Sequence, residues 1–189
     1  MTAYALERLY ADQDHDWVID TIPAVLAWVP GTSKKLRTPP YRFPVERSVG
    51  GTVTTGVLEL SWDVPALLVH DPQVLDKAQR YATKRTLLAE KVTELAALGL
   101  SLVAISAWMP GRRVVACNVG VAPDLVLDVK PGAVRGVECA GRASGGRNKL
   151  AEVANDKRPA LLANPELAEV TLSLWSKSAR FTLFEQVKP

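Results

Sequence analysis

The sequence predicts a mixed α/β (α+β) fold, and three observations predict it. From about residue 72 the hydrophobic period runs helix, strand, strand, strand, helix, strand. Turn chemistry separates those segments, with Pro110-Gly111, Pro131-Gly132 and the glycine-rich stretch 141–147 between them. The chain has 189 residues, 48% hydrophobic and 23% charged, which suits one globular domain, or a domain with an extension, around an ordinary core.

Residues 1–29 read as helical with a break at Pro23, and Trp17, Leu26 and Trp28 read as packing residues. Residues 30–50 read as a loop, because Pro30, Gly31, Pro39, Pro40, Pro44, Gly50 and Gly51 punctuate them. That loop carries Lys34, Lys35, Arg37, Arg42 and Arg47 against one acid, Glu46. It is either a solvated loop or a phosphate-contacting one in which Tyr41 and Phe43 stack on bases. Residues 52–61, TVTTGVLELS, are rich in β-branched side chains and read as a strand. These first 70 residues are expected as an N-terminal extension, and residues 71–189 as the core.

A long helix is expected next. Asp71 caps its start, Pro72 suits its first turn, and Gly99 ends it. Val74, Ala78, Tyr81, Leu88, Val92 and Leu95 form one apolar stripe along it. Leu102 to Ile105 with Trp108 then reads as a strand. Val114 to Cys117 and Val121 to Val129 read as extended segments, and Val134 to Ala140 as the next strand. A helix starts near Lys149 with Leu150, Val153 and Ala154 on one face, and Pro159 and Pro165 break it into short pieces. The chain closes on two strands, marked by Val170, Leu172 and Leu174 and then by Phe181, Leu183 and Val187.

The totals narrow the function. Lys and Arg number 23 against 20 Asp and Glu, a net charge of +3 that permits nucleic-acid binding without arguing for it. Two cysteines without CxxC spacing give no disulfide framework and no zinc signature. Two histidines, His15 and His70, leave little room for histidine catalysis. The N-terminus lacks a basic start followed by an apolar run, and no stretch approaches the ~18 apolar residues of a membrane span. The expectation is a soluble cytoplasmic protein with no membrane partner.

Two carboxylates carry the chemistry. A hairpin turning at Pro131-Gly132 lays Asp124 near Glu138. With a three-residue loop centred on Pro131 they sit directly opposite, with Cβ atoms ~4.5–5.5 Å apart. A two-residue loop shifts the partner by one and spoils the match. Two opposed carboxylates repel unless neutralised, and a divalent cation does this naturally. Asp128 is a further candidate ligand, because it shares the strand parity of Asp124. The bland alternative has Asp124 in solvent and Glu138 paired with Arg135 or Arg142.

Pro123-Asp124, a gap, and then Glu138-Cys139-Ala140 resemble the signature of the PD-(D/E)XK, or restriction-endonuclease-like, nuclease superfamily. The order helix-strand-strand-strand-helix-strand is similar to that superfamily's core, over roughly residues 72–187. The resemblance implies a metal-dependent endonuclease that hydrolyses phosphodiester bonds of nucleic acid, with DNA the expected substrate. It implies Mg²⁺ or Mn²⁺ at Asp124 and Glu138, both catalytic, with Asp128 the further candidate that strand parity adds. It also implies a homodimer, whereas a catalytically degenerate chain is expected as a nucleic-acid-binding or protein-interaction subunit of a larger defence or mobile-element complex.

The sequence departs from the family at one position. The family's lysine, two residues after the glutamate, falls at Ala140. Three accounts stand. A nearby cation, Arg142 or Lys149 by position, takes over part of the role. Or the site is inactive and kept for binding nucleic acid or a protein partner. Or the chain is a disabled variant. Arg142, Arg147 and Lys149 lie in a segment free of acids, 141–149, which is either an ordinary flexible loop or a phosphate clamp opening a helix. With Lys34, Lys35 and Arg37 they make up the expected nucleic-acid contacts.

Overall fold

The computed structural model describes residues 1–30, 39–83, 87–118, 120–130 and 133–189, the side chains of 128–130 excepted. Lys34, Lys35 and Arg37 lie outside the described residues.

Eight strands form one mixed sheet, and helices cover both of its faces. The chain opens on strand β1 (Thr2–Ala5), followed by short helical turns α1 (Leu9–Asp12) and α2 (His15–Val18) and by helix α3 (Thr21–Trp28). Strands β2 (Tyr41–Val49) and β3 (Thr52–Ser61) come next, then helices α4 (Val64–His70), α5 (Val74–Ala82) and α6 (Ala89–Trp108). Strands β4 (Ala116–Cys117), β5 (Leu125–Lys130) and β6 (Ala133–Arg142) lead to helix α7 (Arg147–Ala163). Strands β7 (Leu167–Ser176) and β8 (Phe181–Lys188) end the chain. The sheet order is β1-β3-β2-β8-β7-β6-β5-β4. The pairs β1/β3, β2/β8 and β6/β7 are parallel, and the others are antiparallel.

Side-chain alternation sorts the two faces. Val137 and Cys139 of β6, with Trp175 of β7, join the cluster of α3 and α6. Val170, Leu172 and Leu174 of β7 join Leu150, Val153, Ala154 and Leu161 of α7 on the other side. A buried hydroxyl network ties the first layer to the sheet. Ser101 of α6 donates to the Ala97 carbonyl and lies 2.7 Å from the Ser173 hydroxyl of β7, which accepts the Trp175 indole N–H at 2.9 Å.

Several expectations are corrected. The single helix expected from residue 72 to Gly99 is two helices, α5 and α6, and the strand expected at Leu102 to Trp108 is the second half of α6. Every residue from Gly99 to Ile105 is buried, since α6 lies between the sheet and α3. A helix buried all round shows the same unbroken apolar run as a buried strand. Gly99 serves close packing rather than termination: a Cβ there would stand 2.8 Å from Val25 Cγ2 of α3. By length and composition the 20 residues of α6 could also cross a membrane, but here they form the central helix of the α/β domain.

Residues 41–49 form a strand, not a loop. Tyr41 and Phe43 are each 1% exposed in the core, so neither is free to stack on bases. Residues 2–5 are a strand rather than helix, paired in parallel with β3. Helix α7 runs unbroken through Pro159, which lies on its exposed side. The segment Val121 to Asp124 precedes β5 rather than belonging to it.

Candidate functional site

The site is built on the β5/β6 hairpin. Its ladder closes at Lys130 opposite Ala133, which leaves two residues between them. On that count alone Asp124 would miss Glu138. A β-bulge between Val126 and Asp128 makes Leu127 an extra residue and shifts the pairing back by one. Leu125 then pairs with Val137, and the same register carries Asp124 to a position opposite Glu138. The bulge also separates the two aspartates in phase. Asp128 pairs with Arg135, so its register no longer matches that of Asp124.

Asp124 is held from three directions. The Cys139 backbone N–H donates to its Oδ2 at 2.7 Å. Asn118, just after β4, donates its side-chain amide to the Pro123 carbonyl at 2.8 Å and its backbone N–H to the Asp124 carbonyl at 2.9 Å. Gly136 gives Pro123 the room to lie against β6, since a Cβ on Gly136 would stand 2.3 Å from Pro123 Cγ.

Glu138 is 7% exposed. Its Oε1 accepts from Lys157 Nζ. Its Oε2 is buried and receives no hydrogen bond from an N–H or hydroxyl group, and the Glu138 and Asp124 carboxyls lie within hydrogen-bond reach of each other. An orphaned carboxylate oxygen in a buried position is costly and calls for a partner. Burial, foremost, pushes the Asp124 carboxyl up to about 6; the Cys139 N–H opposes this, the Glu138 charge adds to it, and Lys157 opposes it. Burial likewise raises the thiols of Cys139 and Cys117, the latter to about 11, so neither is an activated nucleophile.

Lys157 is the residue that sequence reasoning missed. It comes from α7, which the chain enters directly after β6. Leu150, Val153, Ala154 and Leu161 face the core from this helix, and Lys157 falls on the same stripe. A lysine at a core-facing position is rare unless paired. That was the available signal: a lone cation inside an apolar stripe, one element after the glutamate strand.

The other sequence candidates stand elsewhere. Arg142 is exposed at the end of β6, on the same alternation as Glu138. Arg147, at the start of α7, forks onto Glu46 of β2 with bonds of 2.6 and 2.8 Å. Lys149 pairs with Glu152 at 2.5 Å on the exposed side of α7. The structure thus brings together Asp124, Glu138 and Lys157, and it engages Arg147 and Lys149 with acids of their own.

Two facing carboxylates, Asp124 just before β5 and Glu138 on β6, fit a hard divalent cation. Mg²⁺ commonly takes one or two carboxylates and fills its remaining positions with water and phosphate oxygens. Among the described residues no group of three or more His, Cys, Asp or Glu converges, so a cage built wholly from protein ligands does not form there. No protein-family model matches the chain, and neither does any curated protein or solved structure.

Proposed function

We propose that this protein is a metal-dependent nuclease that hydrolyses phosphodiester bonds of nucleic acid, DNA foremost, on a restriction-endonuclease-like core. One observation carries the reading: Asp124 and Glu138 meet across the β5/β6 ladder, and Lys157 reaches Glu138 from α7. The run α6-β4-β5-β6-α7-β7 supports it, with β6 and β7 parallel across the α7 crossover. An intracellular setting, where nucleic acid and Mg²⁺ are both present, belongs to the same reading.

Asp124 and Glu138 are the residues that would hold Mg²⁺ or Mn²⁺. Such a cation supplies Lewis-acid stabilisation of charge building on the phosphate oxygens. The chain's own groups do the rest. The Lys157 ammonium faces Glu138. Lys157 supplies the positive charge that Ala140 does not, and its three N–H donors leave it bonds to spare for a phosphate oxygen or a water. Asp124 must lose its proton before it can hold a cation, so rising pH favours cation binding. Arg142, exposed beyond Glu138 on the same strand, would be the contact to the phosphate backbone in this reading.

A second reading has one observation in its favour. Lys157 already neutralises Glu138 without any metal, as expected of a site kept only for structure in a nucleic-acid-binding or protein-binding subunit. The test is incubation with supercoiled plasmid and single-stranded oligonucleotides in Mg²⁺ or Mn²⁺, comparing wild type, Glu138→Ala and Lys157→Ala. Cleavage by the wild type alone supports the nuclease. Cleavage that survives in Glu138→Ala, or nucleic-acid binding without cleavage in all three, sinks it.

A further inference from the structure

The charges at the site do not match the cation they are read as holding. Two carboxylates stand opposite one ammonium, that of Lys157. The ammonium takes one oxygen of Glu138 and leaves the other, Oε2, buried with no N–H or hydroxyl donor, beside the Asp124 carboxyl. Exposure is unequal across the pair, at 9% for the Glu138 side chain and 33% for that of Lys157. The member with a route to solvent is therefore the lysine, at the end of a flexible four-carbon stem.

We propose that Lys157 is an exchangeable counter-ion. Its ammonium offsets one of the two carboxylate charges in the metal-free protein, and an entering divalent cation displaces it toward solvent. This rests on the reading of Asp124 and Glu138 as a cation site. A dication and an ammonium beside the same carboxylate repel each other, and burial strengthens that repulsion relative to water. The lysine thus weakens cation binding while it keeps the empty site folded. Once displaced, it stands at the mouth of the site as a donor for an anion, so the cation and a phosphate bind in cooperation.

The experiment is titration of the full-length protein with Mn²⁺, followed by calorimetry and by the electron paramagnetic resonance of the free ion. The proteins are wild type, Lys157→Gln, Lys157→Arg and Glu138→Gln. The proposal expects Lys157→Gln to bind Mn²⁺ about tenfold more tightly than wild type, because the repelling charge is gone. Lys157→Arg keeps that charge and stays near the wild-type affinity. If Lys157→Gln folds only with Mn²⁺ present, a melting temperature that rises with Mn²⁺ far more than the wild type's reports the same exchange. Wild-type binding that Glu138→Gln abolishes, with Lys157→Gln no tighter than wild type, overturns the exchange and leaves the cation site standing. Equal tightening in Lys157→Arg overturns it as well. Mn²⁺ bound by neither wild type nor Lys157→Gln overturns both the exchange and the cation site.

Discussion

The backbone N–H of Cys139 donates to Asp124 Oδ2 at 2.7 Å, so the strand that carries Glu138 also fixes the carboxylate opposite it. Two like charges are held together by the backbone rather than by their own attraction. The cost of that arrangement shows in the Asp124 carboxyl, which burial, first, and then Glu138 push up to about 6 despite the Cys139 N–H and Lys157.

That shift has a sign. The folded value lies above the ~3.9 of an unfolded aspartate, so the contribution to stability is complete below pH ~4 and is lost as pH rises through about 6. Asp124→Asn keeps an oxygen for the Cys139 N–H and removes the ionisation. Its stability should overtake that of the wild type between pH 4 and 6, by roughly 1 kcal/mol at pH 7 after allowance for partial exposure. Urea unfolding of the metal-free proteins across that range checks it. Parallel curves for the two proteins would refute the shift.

Removing Lys157 alone strands a buried carboxylate. Lys157→Ala should cost about 2–3 kcal/mol in the metal-free protein, less than a fully buried pair because the lysine is one-third exposed. Adding Glu138→Gln to it should recover a good part of that loss. A double-mutant cycle by denaturant unfolding measures the coupling, and additive effects would mean the pair is not formed.

Gly136→Ala tests the seat of Asp124. The new Cβ would press on Pro123 Cγ at 2.3 Å and on the Leu125 carbonyl at 2.5 Å. Overpacking of this kind costs about 1–3 kcal/mol, and here relief means moving the segment that carries Asp124. The variant should lose both stability and Mn²⁺ affinity. Lost stability with unchanged affinity would show that Asp124 is placed independently of Pro123.

Ser173→Ala addresses the join between α6 and the sheet. The Trp175 indole N–H would keep only the Ser101 hydroxyl, at 3.3 Å instead of the 2.9 Å it has to Ser173. Weakening a buried hydrogen bond of this kind costs about 1–2 kcal/mol. Urea unfolding and the near-ultraviolet signal of Trp175 both report it, and a change under a few tenths of a kcal/mol would place the network outside the stability of the core.

Half of the fold was legible where one face of an element is wet. Strand β3 shows its β-branched run and α7 its stripe from Leu150 to Ala154, while β7, buried on both faces, still alternates because Thr171 and Ser173 separate Val170, Leu172 and Leu174. Helix α6 was illegible beyond Gly99 because it is enclosed on all sides, which erases the period that separates helix from strand. Strand β2 was hidden by its prolines, although Pro44 sits just before the pairing with β8 begins, where a missing N–H matters least. At the site, the two carboxylates could be named from spacing, but their meeting depends on a bulge that no residue type announces. Lys157 was legible in principle, as a charge inside an apolar stripe, but only once α7 was read as unbroken past Pro159.

The extra residue at Leu127 bears on how such a chain can change over time. A strand's side chains have a period of two, so the interval between Asp124 and Glu138 tolerates insertions only in even numbers unless the bulge is gained or lost with them. Descendants of this sequence should therefore fall into two parity classes: one with a bulged hairpin and a two-residue turn, and one with a straight ladder and a turn of odd length. A single-residue deletion that keeps the bulge would leave the fold recognisable and carry Asp124 out of step with Glu138, whereas loss of Leu127 itself would straighten the ladder and keep the two opposed.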